Sequence, residues 1–439
     1  MDGRRRYALV GAGARAEMFV RALALDHAGT AELVGLADVN PARMAAHNRW
    51  LAELGVKPVP TCAPAGFAAM LRAERVDEVL VTSVDRTHAE YVVAALDAGC
   101  DVITEKPMTV DVDGCRRILD AVERTGRRVS VAFNYRFNPL HEAVREVLAA
   151  GEIGEIGSVH FEWLLDVRHG ADYFRRWHRE KANSGGLLVH KSGHHFDLVN
   201  WWLGAAPAQV YAAGRLFFYG ENGRRHGYAR DYPRAHGHPA AQGDPFALSL
   251  RDNPRLRELY LDAEADDGYR RDVNVFAPGV TIEDDLAVLV RYDSGATMTY
   301  HLTAYAPWEG YRVMFNGSRG RLELEVVESD HVSPGGAREV KGAALHGVTE
   351  AVEHGRAALT VRPFWAPPRE VPLPAAYSRG GHGGADTRMT AVLFGAAEDP
   401  MHRSATARDG ALALLTGLAA NRSIETGAPV RVADLLDLP

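Results

Sequence analysis

The chain has 439 residues, 46% hydrophobic and 24% charged, ordinary values for a folded protein with room for two or three cores. Fifty Lys and Arg against 57 Asp and Glu leave a formal net charge of −7, which argues against nucleic acid as a partner. Cys62, Cys100 and Cys115 are too few and too scattered for a disulfide framework or a zinc cluster and fit a reduced, cytoplasmic setting, and no segment reaches the roughly 20 apolar residues that a membrane helix needs.

The N-terminal stretch YALVGAGARAEMFVRALAL passes from a short strand into a glycine turn and then a helix. Gly11 and Gly13 take the first two glycine positions of GxGxxG, and Ala16 takes the third. A tight turn with no side chain in the way lets a pyrophosphate rest on a helix N-terminus, here formed by Gly13, Ala14 and Arg15. AELVGLAD is read as a second strand ending in Asp38, 27 residues after Gly11, where a carboxylate would bond a ribose 2′-hydroxyl and favour NAD over NADP. Arg43 nearby keeps NADP as the less favoured choice, and a plain helix cap is the alternative role for Asp38.

Strands and helices then alternate through VDEVLVTS, HAEYVVAALDAG, DVITEKP, DGCRRILDAVERTG and RRVSVAFN, the pattern of βαβ units and a parallel sheet. Ligands in such sheets sit beyond the carboxyl ends of the strands, so Ser83, His88, Glu105 and Lys106 are expected to line the cofactor.

Farther along, LLVHKSGHHFDLVNWW sets His190, Lys191, His194, His195 and Asp197 into an otherwise apolar helix, read as 187–203. His190, His194 and Asp197 share one face. Three readings compete: a metal site, an acid–base site, or satisfied core polar groups. The spacing suits zinc, but no Glu follows His190 as in HExxH, so the acid–base reading is preferred and no metal is expected.

GSVHFEWLLDV opens a run of antiparallel strands, continued by a hairpin turning at Asp293, Ser294 and Gly295 and by YRVMFNGSRGRLELEVV. The segment of about 219–276, rich in Arg, His, Tyr, Gly and Pro, interrupts this sheet and reads as a lid or as an oligomer contact. As a lid it would bring Tyr269, Arg270 and Arg271 to a substrate, with Arg168, Trp177 and His178 on the opposite rim and His382 on a glycine-rich loop. A last helix is expected at about 406–420, packing back on the structure.

The stretches VGAGARA, THAEYVVAALDAGCDVITEKP, FNYRFNP, GGLLVHKSGHHFDLVNWWLG and NGSRGRLEL together resemble the glucose-fructose oxidoreductase, inositol dehydrogenase and MocA family over nearly the whole chain. The resemblance implies an N-terminal Rossmann parallel sheet, residues 1–134, and a C-terminal, open-faced, mostly antiparallel sheet domain, residues 135–439, with substrate held between them. It places Lys106 beside the nicotinamide, Asn134 on the cofactor side and Arg136 and Lys191 on the substrate side, and it implies a homodimer or homotetramer built on the sheet.

Relatives commonly carry Asp, His and Asp where this chain has His190, His194 and Asp197, a register that Gly186 and Gly204 support over the competing pair Lys191 and His195. His190 thus replaces a carboxylate. Two functions follow. One is oxidation of a secondary hydroxyl of a sugar, sugar derivative or cyclitol by NAD. The alternative is glycoside hydrolysis through transient C3 oxidation, elimination and re-reduction with a recycled, tightly bound NAD.

Overall fold

The computed structural model describes residues 3–332, 355–377, 383–395 and 397–438. His382 lies outside the described residues. The N-terminal strands are β1 (Arg5–Val10), β2 (Ala31–Ala37), β3 (Thr61–Cys62), β4 (Glu78–Val81), β5 (Asp101–Thr104) and β6 (Val129–Val131). The later strands are β7 (Ile156–Asp166), β8 (Pro207–Arg215), β9 (Asp285–Tyr292), β10 (Thr297–Ala306), β11 (Glu309–Gly317), β12 (Gly320–Ser329), β13 (Arg356–Pro363), β14 (Arg369–Glu370), β15 (Ala405–Thr406) and β16 (Val430–Arg431).

The first sheet runs β15-β6-β5-β4-β1-β2-β3, parallel throughout except for β15. Helices cover both of its faces, so β4 and β5 are buried at every position, and their sequences EVLV and DVIT read as short apolar runs without alternation. The second sheet runs β14-β13-β12-β11-β7-β10-β9-β8-β16 and is antiparallel except where β10 lies parallel to β7. Its central strands alternate buried and partly exposed residues, as a one-sided sheet must. A Rossmann half and an open-faced sheet half are therefore both present.

The buried face of the second sheet is aromatic. Trp163 and Tyr311 stack with ring centroids 4.4 Å apart, and Trp163 stacks on His195 at 4.2 Å. Burying a side chain of this size contributes roughly 2–3 kcal/mol. The helical stretch over this face is broken: it runs Leu187–His190, turns at Lys191, and resumes as Ser192–Leu203.

The final helix, Ala407–Thr426, runs six residues past the expected end at Ala420. A capping box between Thr406 and Asp409 starts it and left-handed Gly427 stops it. The added turns hold because Asn421 donates to the carbonyl of Gly185 at 2.7 Å and the Ser423 hydroxyl accepts from the Ala212 N–H at 2.9 Å. Just before this helix the chain crosses back to give β15 to the edge of the Rossmann sheet.

Gly170 sits where the helix Val167–Arg175 crosses β10, and a Cβ there would overlap the carbonyl of Ala304. Gly170→Ala is therefore expected to cost about 3 kcal/mol, read as a lower urea midpoint with an unchanged slope.

Candidate functional site

Gly11 has φ +99° and no room for a side chain, because a Cβ would collide with the backbone of Ser83. That closeness aligns the carboxyl ends of β1 and β4. Gly13 gives the helix Ala14–Arg21 no capping side chain of its own, the Ala14 N–H donates to the Tyr260 hydroxyl at 2.9 Å, and Ala16 is fully buried against the sheet; the positive end of the helix dipole faces the place of a ligand anion. Asp38 is fixed by the N–H groups of Ala12 at 2.5 Å and Asn40 at 2.7 Å. The cap of the helix Pro41–Glu53 is Asn40, so Asp38 is not consumed in that role. A helix N-terminus, a glycine turn closed to side chains and a fixed carboxylate after β2 fit the pyrophosphate and ribose of a dinucleotide.

Beyond the ends of β4 and β5 stand Ser83, His88, Glu105 and Lys106. His88 bridges the two loops, with ring nitrogens 2.8 Å from the carbonyl of Pro107 and 3.0 Å from that of Ser83. Glu105 accepts from Arg15, which also pairs with Asp386 at 3.2 Å, and Asp386 takes an N–H from Asn134 at 2.8 Å. Arg15 thereby gathers the glycine turn, the Glu-Lys-Pro loop and the helix Ala385–Leu393. The Lys106–Pro107 peptide bond is cis.

The Lys106 ammonium lies 3.3 Å from His190 Nε2 and 3.0 Å from the His190 carbonyl. His190 Nδ1 lies 2.5 Å from Asp85 Oδ2. Lysine, imidazole and carboxylate therefore form one line across the boundary between the two halves, with His190 and Asp85 buried and Lys106 partly so. Burial pulls Lys106 down to about 8, against the opposing pull of Asp85 and Glu105. Burial also holds His190 well below the ordinary histidine range, reinforced by the charges of Lys106 and Arg176, and pushes the Asp85 carboxyl up. A neutral His190 with its proton on Nδ1 satisfies both neighbours: it donates to Asp85 and accepts from Lys106. The ring of His178 lies edge-on to His190 at 4.2 Å and stacks on Trp177 at 3.5 Å, so these two expected rim residues do flank the line.

Other expected site residues lie elsewhere. Asp197 is locked to Arg136 by two hydrogen bonds of 2.6 and 2.8 Å, and Asp409 stands 3.3 Å from the same guanidinium. This pair replaces the expected catalytic place of Asp197 and the expected substrate contact of Arg136; both side chains are 3% exposed or less, and burial pushes the Asp197 carboxyl up to about 6 against the pull of Arg136. His194 stacks on Tyr135 at 4.3 Å. Lys191 donates to the Tyr135 hydroxyl at 3.0 Å and lies over the Trp163 ring. Arg271 is bound through both nitrogens to Asp172 at 2.9 and 3.1 Å and is an anchor of the insertion rather than a free substrate contact. Arg168 lies 3.6 Å from Asp166. Tyr269 lies against Tyr260 and Arg43 on the nucleotide-binding half.

Asp85 was missed by sequence reading. Its signal was its place in the loop after β4, three residues before His88, but nothing in the sequence pairs that loop with position 190.

A glycine turn on a parallel sheet, a lysine at the end of β5 and a second sheet facing them define a Rossmann oxidoreductase with a separate substrate-facing domain. The family models agree: residues 5–133 match the oxidoreductase family, NAD-binding Rossmann fold, and residues 145–432 match its C-terminal alpha/beta domain. The chain belongs to this family, Gfo/Idh/MocA, and its cofactor is NAD.

The Bacillus subtilis (strain 168) protein YteT is 34% identical over 434 residues, covering 96% of both chains. An inositol 2-dehydrogenase from Rhizobium meliloti is 30% identical over 48% of this chain and 58% of its own length. Among solved structures, an aldose-aldose oxidoreductase from Caulobacter crescentus (TM-score 0.62, 17% identity, covering 98% of this chain and 99% of its own) has the same fold. So does the WlbA dehydrogenase from Bordetella pertussis in complex with NADH and UDP-GlcNAcA (TM-score 0.63, 18% identity, 99% of each chain). Among the described residues no helix is long and apolar enough to cross a membrane.

Arg136→Met strands Asp197 as a buried, unpaired carboxylate. It is expected to cost about 3–5 kcal/mol in urea unfolding, whereas the double replacement with Asp197→Leu should recover most of that loss.

Proposed function

We propose that this oxidoreductase takes a hydride from a secondary hydroxyl of a sugar, sugar derivative or cyclitol, with Lys106 as the group that receives the hydroxyl proton. The observation that carries this reading is the line Lys106, His190, Asp85. Bound NAD supplies the hydride acceptor. At neutral pH a part of Lys106 is unprotonated, so Nζ can take a proton from a hydroxyl set against it. His190 Nε2, 3.3 Å away, accepts a hydrogen bond from the ammonium so formed. Asp85 orients the ring through Nδ1. Gly11, Gly13, Ala14, Arg15, Ala16 and Asp38 would hold the dinucleotide, and Trp177 and His178 offer ring faces to a carbohydrate. The names of the relatives, an inositol dehydrogenase and an aldose oxidoreductase, support a polyhydroxylated substrate.

A second reading, redox-neutral glycoside hydrolysis, is favoured by one feature. His178 Nδ1 is buried with no hydrogen-bond partner among the described residues and its ring touches His190, which puts a second imidazole beside the line. Removing a proton next to a transiently oxidised carbon and then protonating a leaving group needs such an additional group. For assembly, we place the contact of a homodimer or homotetramer on the open sheet face, where Tyr211 and Leu289 stand exposed and paired in register.

The two readings separate in one assay. Purified protein is mixed with cyclitols, free sugars and aryl glycosides, with and without added NAD, while NADH absorbance and aryl release are followed. Net NADH with a polyol is the expected result, and aryl release with no net NADH would establish hydrolysis instead. Lys106→Met should lower either rate by about 10²–10⁴; an unaffected rate would remove Lys106 from the chemistry.

The pH profile tests the line itself. Oxidation requires neutral Lys106, so kcat/KM should rise through pH of about 8 and level off above it. Asp85→Asn removes a charge that favours the ammonium, so the midpoint should move to lower pH while the plateau falls about 10–100-fold.

A further inference from the structure

The insertion between β8 and β9 reaches the nucleotide-binding half. Its stretch Pro254–Gly268 crosses to the Rossmann half and lies on the nucleotide-binding turn. The Tyr260 hydroxyl accepts the backbone N–H of Ala14 at 2.9 Å, the first residue of the helix whose start faces the pyrophosphate. The Arg43 guanidinium donates to the Leu259 carbonyl at 2.9 Å and pairs with Asp267 at 2.8 Å, while Asn40 donates to the Ala263 carbonyl at 2.8 Å. Trp50 donates to Glu258 at 2.8 Å and carries Arg255 over its ring at 4.0 Å. Leu259 is fully buried in a small core with Ala46 and Trp50. These partners all lie on the glycine turn, the loop after β2 or the helix Pro41–Glu53, the elements that hold the phosphates and ribose in this fold.

We infer that Pro254–Gly268 is a strap that closes over the pyrophosphate and adenosine end of NAD, and that Tyr260 is a cofactor ligand. A phenol oxygen that accepts one N–H keeps its own O–H to donate. Tyr260 thus carries the anion-binding polarity of the helix start, through Ala14, out to a side chain that can bond a phosphate oxygen. The strap also bears on coenzyme choice. Arg43 is answered by two carboxylates, Asp267 at 2.8 Å and Asp38 at 3.9 Å, so no net positive charge is left to receive a 2′-phosphate. An apolar plug and several polar tethers must let go before the dinucleotide leaves, so exchange is slow. The inference rests on NAD binding alone and holds whichever substrate the enzyme takes.

The test is NADH release, followed by fluorescence in stopped flow after mixing with excess NAD, together with nucleotide content after desalting. The wild-type protein is expected to retain nucleotide. Tyr260→Phe, and separately the tether variant Glu258→Gln with Asp267→Asn, should release NADH about tenfold faster or more, with circular dichroism unchanged. The double variant keeps the test open if Tyr260→Phe folds poorly. Unchanged release in both variants would overturn the strap. Tighter NADH binding by Tyr260→Phe would overturn the ligand role, because it would mean that the phenol occupies the phosphate's own seat. Failure of the substrate assay above would leave these release rates untouched, so the two conclusions fail separately.

Discussion

A charge taken out of water must be answered by a partner, and this constraint governs the boundary between the two sheets. Three ion pairs or lines, buried or partly buried, cross or brace it: Lys106 with His190 and Asp85, Arg136 with Asp197 and Asp409, and Arg15 with Glu105 and Asp386. Each joins a residue of the first 140 positions to one from the later chain. None of these charges can be left behind if the halves move apart, so the relative placement of the halves is tied to the satisfaction of these groups. The same pairs fix the backbone on both sides of the cleft, and they do so without occupying the glycine turn.

The same constraint accounts for the pairing of Asp197. Arg136 follows β6 on a short helical turn and needs a carboxylate, because a buried guanidinium without one is costly. Asp197 and Asp409 supply it, from the helix over the second sheet and from the last helix. The chain crosses back through β15 immediately before that last helix, so β15 and the last helix touch both halves. Asp386, which completes the Arg15 pair, comes from the same returning stretch.

The parallel sheet, the open-faced sheet and the glycine turn were legible because each has a local signature: apolar runs at strand length, alternation, and glycines where a side chain cannot fit. Lys106 and His190 were singled out by spacing against familiar motifs, and the structure brings them within 3.3 Å of each other. What escaped was everything that depends on contacts between distant segments. The i, i+4 and i+7 spacing of His190, His194 and Asp197 predicts a shared face, yet the helix breaks at Lys191, and each side chain finds a different neighbour: Lys106, Tyr135 and Arg136. Arg271 looked like a substrate contact because a guanidinium in a loop suits an anion, but Asp172 answers it first. Tyr260 carried no signal at all, since its role exists only through the path of the insertion.

A histidine rather than a carboxylate at position 190 has a plain electrostatic meaning. A carboxylate about 4 Å from an ammonium, at an effective dielectric near 20, favours the charged lysine by about 4 kcal/mol, roughly three pKa units. That would return the lysine to its ordinary, fully protonated state. With His190 at the contact, the nearest carboxylate of the line, Asp85, stands one imidazole ring farther away, and its attraction falls with the distance. The ring between them is neutral, because burial and the charges of Lys106 and Arg176 hold it so. Lys106 therefore settles at about 8, close enough to neutrality to gain and lose a proton, while Asp85 fixes the ring beside it. A carboxylate on the loop after β4, one ring removed from the lysine, orients that ring and holds the lysine proton less tightly than one in direct contact would.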